Sequence, residues 1–225
     1  LLCWNSPDAR AYVSALMVDL ASRYDVDMIQ ACTYLYFDGF PKLHPLLGVA
    51  RGGCFCDNCA REAKKQGLDW EAIKAVVRRF ADIMMRKSLE NNEDYMLIER
   101  SDASEVTFLL ENPELYQWLK FRCDSTTRYF KEISEAVHKA NPKIDLRYNT
   151  CWPRPDHVGQ DFTKSAQYLD SIRLMDYAEQ TGDEEKVRNK YRWLSNIRRQ
   201  VGEDKPLIAA IAPRARGKPQ GPGGT

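Results

Sequence analysis

Apolar and polar residues follow one another along the chain in blocks, with either helical or strand-like spacing. The first block opens at Ser6, which suits a helix N-cap, followed by Pro7 at the first helical position and Asp8 at the positive end of the helix dipole. Apolar residues then recur at helical spacing: Tyr12, Val13, Leu16, Met17, Leu20 and Ala21. The pattern predicts a helix that ends near Tyr24.

The second block predicts a buried strand with a long helical insertion behind it. Val26–Tyr36 is mostly apolar and rich in β-forming residues. The insertion runs from Phe37 to Glu111 and contains a glycine-rich turn with three cysteines. It also contains a predicted helix, Asp69–Glu90, with Asp69 as N-cap. One face of that helix is apolar: Ile73, Val76, Val77, Phe80, Ile83 and Met84.

A regular rhythm of helices and strands fills the rest of the chain. A long helix is predicted to start at Asn112-Pro113 and to end at Asn141-Pro142. Its apolar stripe comprises Leu115, Trp118, Leu119, Tyr129, Phe130, Ile133 and Val137. The predicted strands are Ile144–Cys151, Ser171–Tyr177 and Pro206–Ala212, and the helices between them are Phe162–Leu169 and Glu184–Val201. Glycine and proline dominate 216–225, which predicts a disordered tail after a domain spanning 1–215.

Alternating helices and strands predict an α/β fold with a parallel sheet and right-handed connections. A complete (β/α)8 barrel has eight strands, so about four strands predict a partial TIM barrel. An open doubly wound sheet has a similar rhythm, but no glycine-rich phosphate turn follows any of these strands. We therefore favour the barrel. The start at Leu1, without Met, indicates a cut through a longer barrel.

Composition and charge exclude several classes of partner. The 225 residues include 33 Lys and Arg against 32 Asp and Glu, for a net charge of +1. This balance argues against nucleic-acid binding driven by bulk charge. No apolar run reaches the length of about eighteen residues that a membrane span requires. We expect neither nucleic acid nor membrane as a partner, whereas a homo-oligomer is compatible with the sequence.

Cysteine spacing points to a metal site. Cys54, Cys56 and Cys59 form a C-x-C-x-x-C knuckle, and thiolates at that spacing can converge on one zinc ion at about 2.3 Å each. The alternative is a set of free thiols.

A closed site would need a fourth ligand. Cys32, His44 and Cys3 are available, and we include Cys32 in the predicted set. Four protein ligands leave no open position, so the predicted zinc would be structural. With only three histidines in the chain, zinc-protease motifs of the HExxH type are excluded.

Candidate functional residues follow the predicted strands, because parallel α/β folds place their sites at the carboxyl ends of the strands. Carboxylates beside aromatic rings suit a carbohydrate site, in which acids act on the glycosidic bond and rings stack on sugars. The predicted catalytic residues are Asp176, Asp38 and Glu179. The predicted substrate-binding residues are Tyr36, Asn149, Trp152, His157, Tyr177 and Arg214.

Asp176 is the foremost of these carboxylates. It ends an otherwise apolar strand, where an acid is costly unless it is functional or hydrogen-bonded. The alternative is that Asp176 accepts backbone N–H bonds in its loop. Asp38 could equally begin the Asp38-Gly39 turn, and Glu179 could be a surface residue.

Three stretches resemble bacterial glycoside-hydrolase-like TIM barrels. Asn5–Gln30 (NSPDARAYVSALMVDLASRYDVDMIQ) resembles the helix that leads into the fourth strand of those barrels. Gly53–Ile73 is similar to their cysteine knuckle, and a comparable C-x-C-x-x-C lies in the zinc site of family-42 β-galactosidases. Trp118–Pro142 looks like their W-x-x-F-R helix. The stretches cover about a third of the chain, and their order implies the fourth to seventh strands of a barrel.

The resemblance implies a glycoside hydrolase with a carbohydrate substrate. Glycosidases use two carboxyls, about 5 to 9.5 Å apart. Gln30-Ala31-Cys32 carries no acid, so the second carboxyl would come from Asp38 or from a residue outside this chain. One alternative is a non-catalytic carbohydrate-binding barrel in which Tyr36, Trp152 and Tyr177 hold the sugar. Another is a metal-dependent enzyme of a different class.

Overall fold

The computed structural model describes residues 2–32, 53–85, 93, 104–150 and 155–211. Seven α-helices and four β-strands occur within these ranges. In chain order they are α1 Pro7–Arg23, β1 Met28–Cys32, α2 Asp57–Lys65, α3 Trp70–Met85, α4 Glu105–Glu111, α5 Pro113–Ala140, β2 Asp145–Thr150, α6 Phe162–Ser165, β3 Ser171–Leu174, α7 Glu184–Val201 and β4 Leu207–Ala209. Single turns of 3₁₀ helix lie at Pro155–Val158, Ala166–Tyr168 and Ala178–Thr181.

The four strands form one parallel sheet in the order β1-β2-β3-β4. Cys32 lies beside Asn149 in the register, Asn149 beside Arg173, and Arg173 beside Ile208. Each strand pairs with the next one along the chain, as successive strands of a (β/α)8 barrel do. The predicted parallel α/β architecture is confirmed. Among the described residues, no helix is both long and apolar enough to cross a membrane.

The N-terminal boundaries follow the local signals in the sequence. The Ser6 hydroxyl accepts the Ala9 N–H at 3.4 Å and caps α1, and the Asp69 carboxylate accepts the Ala72 N–H at 3.0 Å before α3. The predicted stripe of α1 is only partly correct. Val13, Met17 and Ala21 are buried, whereas Tyr12 is 67% exposed, because it lies on the opposite side of the helix.

The third strand is shorter than predicted. β3 ends at Leu174, and Ala178–Thr181 forms a 3₁₀ turn. Asp176 and Tyr177 therefore lie in the loop after β3 instead of ending the strand. The Met175 N–H still donates to the Thr150 carbonyl at 2.7 Å, which holds the start of this loop against the end of β2.

Helix α5 joins two hydrophobic cores. Its second half packs with α1 and one face of the sheet, in a core that includes Val13, Met17, Ile29, Tyr129, Phe130, Ile133, Leu146, Tyr148, Ile172 and Leu174. Its first half packs with α2, α3 and α4, in a core that includes Cys59, Trp70, Ile73, Val77, Phe80, Phe108, Leu115, Trp118 and Phe121. The insertion is therefore fastened to the barrel by one continuous helix of 28 residues.

Arg122 lies in α5 between the two cores and is fully buried. Its Nη2 donates to the His157 carbonyl at 3.0 Å, and its guanidinium lies 5.7 Å from the centre of the Trp118 ring. A buried cation is tolerated only with such partners. Arg122 thus ties α5 to the loop after β2.

Gly53 approaches Trp118 too closely for any side chain. A Cβ at Gly53 would lie 2.2 Å from Cζ2 of Trp118, and the Gly53 φ of +155° favours glycine. We expect Gly53→Ala to lower the free energy of unfolding by about 2–3 kcal/mol, because an overpacked core must shift. Urea unfolding measures this loss.

Gly67→Ala is the matched control, since Gly67 also has a positive φ but nothing lies within 4 Å of its Cβ position. Backbone strain alone should cost about 1 kcal/mol there. Equal losses for the two variants would refute the close approach at Trp118.

Asp124 of α5 pairs with Lys120 one turn earlier in the same helix and with Lys164 of α6, and the second pair joins the two helices. Its carboxylate oxygens lie 2.5 Å from Lys120 Nζ and 3.0 Å from Lys164 Nζ. Burial raises the pKa of the Asp124 carboxyl, but the hydrogen bonds from both lysines outweigh burial and hold the pKa below its ordinary value. The ionised carboxylate therefore stabilises the fold above the unfolded pKa of about 3.9. This contribution is lost as the pH falls through the lowered folded pKa.

We expect Asp124→Asn to lower the free energy of unfolding at pH 7 by about 0.5–1 kcal/mol, since the pair is partly screened by solvent. The deficit should shrink as the pH falls below about 4, where the unfolded carboxyl takes up its proton, and it should vanish below the lowered folded pKa, where the wild-type carboxyl carries no charge in either state. Urea unfolding at pH 7 and pH 3 measures both values. A deficit that is unchanged at pH 3 would contradict the ionic explanation.

Candidate functional site

Four thiols meet where the segment before α1 reaches the start of α2. The Sγ atoms of Cys3, Cys54, Cys56 and Cys59 all lie within 4.8 Å of one another. Cys3 Sγ is 3.5 Å from Cys56 Sγ and 3.5 Å from Cys59 Sγ, and Cys56 and Cys59 are 4.0 Å apart. A tetrahedral zinc with bonds of about 2.3 Å separates its sulfurs by about 3.8 Å. The spacing and the soft donors fit such an ion, so these residues can hold a metal.

Cys3 takes the fourth place in this group, for which the sequence prediction named Cys32. Cys32 is the last residue of β1, and its Sγ accepts a hydrogen bond from Asn149 Nδ2 at 3.3 Å. The structure therefore places Cys3, an alternative that the sequence also offered, beside the other three thiols in the position expected of Cys32. His44 lies outside the described residues.

The thiols differ in acidity. Burial raises the pKa of Cys54 to about 11, and burial also raises the pKa of Cys59 well above its ordinary value. Burial acts in the same direction on Cys56, but hydrogen bonds from the Cys59 backbone and the neighbouring thiols lower its pKa to about 7. Four thiolates this close repel one another, so a bound cation is what would hold them all ionised.

A second set of contacts fastens the thiols to the long helix. Asn5 Nδ2 donates to Cys59 Sγ at 3.4 Å, and Arg128 of α5 both donates to the Asn5 side chain and pairs with Glu62 of α2. Phe55 stacks on Trp118 with ring centres 4.7 Å apart. Asn5 and Arg128 were not among the predicted site residues, because a separation of 123 residues leaves no local signal of their contact in the sequence.

The sheet has an apolar face and a polar face. Alternate strand residues pack against α1 and α5 in the first core: Ile29, Ala31, Leu146, Tyr148, Ile172 and Leu174. Side chains alternate between faces along a strand, so the residues between them lie on the face that lines the interior of a barrel. On this face are Gln30, Cys32, Arg147, Asn149 and Arg173.

The row nearest the carboxyl ends of the strands forms a connected group. Asn149 is 3% exposed, and its Nδ2 donates to Cys32 Sγ and to Met175 Sδ, at 3.3 and 3.4 Å. Its Oδ1 accepts from Arg173 Nη1 at 3.1 Å. Arg173 Nη2 donates in turn to the Tyr177 hydroxyl at 3.5 Å. The structure thus brings the predicted residues Asn149 and Tyr177 to Arg173, which was not among the predicted site residues.

The row beneath this group is internally neutralised. Arg147 pairs with Asp145, and its Nε donates to the Ser171 hydroxyl at 2.8 Å. Ser171 donates to the second oxygen of Asp145 at 2.7 Å. Each charge in this row has an opposite partner, so the row is explained as the polar filling of the barrel.

Asp176 and Glu179 follow β3 but have different surroundings. Asp176 and Tyr177 line a cavity of about 390 Å³, together with Lys186, Asn189 and Trp193 of α7. The Glu179 carboxylate pairs with Lys190, which is 4% exposed and also donates to the Ala210 carbonyl. This pair links the loop after β3 to α7 and to the end of β4. The sequence left open that Glu179 is a surface residue. Its pairing with the buried Lys190 does not agree with that alternative.

His157 is buried in the 3₁₀ turn after β2, where its carbonyl accepts the Arg122 hydrogen bond. Its Nε2 lies 3.9 Å from Asp156 Oδ2. Four predicted site residues lie outside the described part of the chain: Tyr36, Asp38, Trp152 and Arg214.

Comparison with solved structures identifies the class of fold. The chain is similar to the PgaB (BpsB) glycoside hydrolase domain from Bordetella bronchiseptica, with a TM-score of 0.59 and 16% identity over 93% of this chain and 49% of that domain. It is also similar to a cold-adapted β-galactosidase from Rahnella sp. R3, with a TM-score of 0.56 and 18% identity over 94% of this chain and 29% of that one. No protein-family model and no curated protein matches the sequence.

The fold is therefore that of a glycoside-hydrolase-like barrel, and the predicted partial (β/α)8 architecture is confirmed. The chain spans about half the length of the Bordetella domain and less than a third of the β-galactosidase. Its polar row lies at the carboxyl ends of the strands, where barrels of this kind carry their sites.

Proposed function

We propose that this chain is part of a glycoside hydrolase that binds a saccharide at the carboxyl ends of β1–β4. The connected group of Asn149, Arg173 and Tyr177 at that end of a glycoside-hydrolase-like barrel carries the proposal. Polar groups that converge at the mouth of a barrel are suited to fixing the hydroxyls of a sugar. Tyr177 is exposed and offers a ring on which a sugar can stack.

Asp176 is the proposed catalytic carboxylate. It follows β3 directly, lies next to Tyr177 in sequence and lines the same cavity. Glycoside hydrolysis needs a second carboxyl on the other side of the scissile bond. Asp38, or a residue outside this chain, supplies it in this proposal. Tyr36, Trp152, His157 and Arg214 remain predicted substrate contacts.

Glu179 is reassigned from catalysis to positioning. A general acid or base must be free to exchange a proton with the substrate. The Glu179 carboxylate instead neutralises the buried ammonium of Lys190, and removing one partner of a buried pair is strongly destabilising.

The binding of a saccharide without hydrolysis is the second candidate function. The pairing of Glu179 with Lys190 favours this second function. Of the three predicted catalytic carboxylates, Asp38 lies outside the described residues and Glu179 is paired with a buried cation, which leaves Asp176 alone among the described ones. Turnover separates the two functions, since both require the saccharide to bind.

A structural zinc completes the proposal. Cys3, Cys54, Cys56 and Cys59 would supply four thiolate ligands, which leaves no position for a substrate or a water molecule. The ion would offset part of the negative charge of the four thiolates and join the segment before α1 to α2.

We expect Asp176→Asn to lower the rate of saccharide hydrolysis by about 10²–10⁴-fold, because the amide cannot transfer the proton or attack the sugar. Saccharide affinity should change little. Reducing-end release from an oligosaccharide panel measures the rate, and calorimetry measures the affinity.

Glu179→Gln is the matched control. It should lower the melting temperature because it leaves Lys190 buried without its counter-ion. Unchanged hydrolysis in Asp176→Asn would show that this carboxylate is not catalytic. Tight saccharide binding with no turnover in the unaltered protein would instead establish the second candidate function.

Metal analysis tests the cysteine assignment. We expect about one zinc per chain, with loss of the ion and a lower melting temperature in Cys3→Ser, because three thiolates hold the ion less tightly than four. Cys32→Ser removes a thiol outside the group, so this variant should keep the zinc ion and the melting temperature of the unaltered protein. Zinc retained in Cys3→Ser but lost from Cys32→Ser would reverse the assignment.

A further inference from the structure

Two arginines on the polar face of the sheet differ in how their charge is balanced. Arg147 faces Asp145, whereas the contacts of Arg173 within the described part of the chain are with the neutral side chains of Asn149 and Tyr177. No carboxylate among the described residues pairs with Arg173. We propose that Arg173 binds a carboxylate carried by the substrate, so that the saccharide is acidic and contains uronic acid residues. This inference rests on the proposed function and names its substrate class.

The cost of a half-buried charge supports the inference. A guanidinium remains protonated at all physiological pH values, and its removal from water is unfavourable without an anion or a full set of acceptors. Arg173 is partly buried in a barrel interior whose other described arginine is neutralised. An anion provided by the ligand would balance it only when substrate is bound.

The guanidinium is positioned before any ligand arrives. Asn149 is buried, and its Nδ2 donates to the sulfurs of Cys32 and Met175, which turns Oδ1 toward Arg173. Tyr177 holds the other terminal nitrogen. Arginine has five N–H donors, so donors remain for a carboxylate after these two bonds are made.

The location is consistent with the proposed catalytic residue. Arg173 lies in the row nearest the carboxyl ends of the strands, three residues before Asp176. A uronate held by Arg173 would have its ring near Tyr177, whose hydroxyl already contacts the guanidinium. Arg173 thus selects the substrate, while Asp176 acts on its glycosidic bond.

The unaltered protein provides the first test. Calorimetry compares uronate oligosaccharides, such as tetragalacturonate and oligoglucuronate, with their methyl esters and with neutral oligosaccharides. The ester keeps the sugar backbone but removes the charge. We expect at least one acid to bind about 10- to 100-fold more tightly than its ester, the range for a charge-assisted hydrogen bond. The preference should decrease as salt increases.

Two substitutions test whether Arg173 is the residue responsible for the preference for the acid over its ester. Arg173→Gln should abolish the preference, so that the acid and its ester bind with equal affinity whatever the substitution does to saccharide affinity as a whole. Arg147→Gln is the matched control on the same face: it should lower the melting temperature, because it leaves Asp145 without its cation, but retain the preference.

The outcomes separate this inference from the function on which it rests. If acid and ester bind equally, or if only neutral saccharides bind, the role of Arg173 is wrong and the saccharide site stands. If neither acidic nor neutral saccharides bind, the proposed function fails as well. If Arg173→Gln does not fold, the comparison of acid and ester in the unaltered protein still decides whether the site prefers an acidic saccharide. A preference that survives in folded Arg173→Gln also overturns the assignment.

Discussion

The burial of α5 against two separate cores is the constraint on which the rest of the structure depends. One half of the helix covers the sheet and the other half covers the insertion, so neither core is complete without it. Arg128 on α5 also holds Asn5 beside the thiols, and Arg122 holds the loop after β2. A shift of this helix would therefore disturb the cysteine group and the loops of the barrel together.

The two chemical centres make opposite use of charge. The thiols form a closed group whose four donors can satisfy one cation without help from outside. The row of Asn149 and Arg173 holds a positive charge that the described residues leave open. A closed donor set suits a structural role, whereas an uncompensated charge at the mouth of a barrel suits recognition.

Local signals in the sequence predict most of the elements, and non-local contacts account for the differences. Ser6 and Asp69 cap the helices at which they were expected, because capping depends on a few adjacent residues. The choice of Cys3 over Cys32 depends on how distant elements meet, and the pairing of Glu179 with Lys190 depends on how the turn after β3 packs on α7. The spacing of cysteines in the sequence cannot show which distant thiol joins the other three. The residues around Lys190 in the sequence likewise do not indicate that it is buried.

The position of Cys3 bears on how the chain unfolds. Cys3 and Cys59 are 56 residues apart, and α1 and β1 lie between them. An ion bound to both would close this stretch into a ring, which reduces the conformational entropy of the unfolded chain. The insertion and the first strand of the sheet would then lose their structure as one cooperative unit, because neither could separate while the ring remained closed.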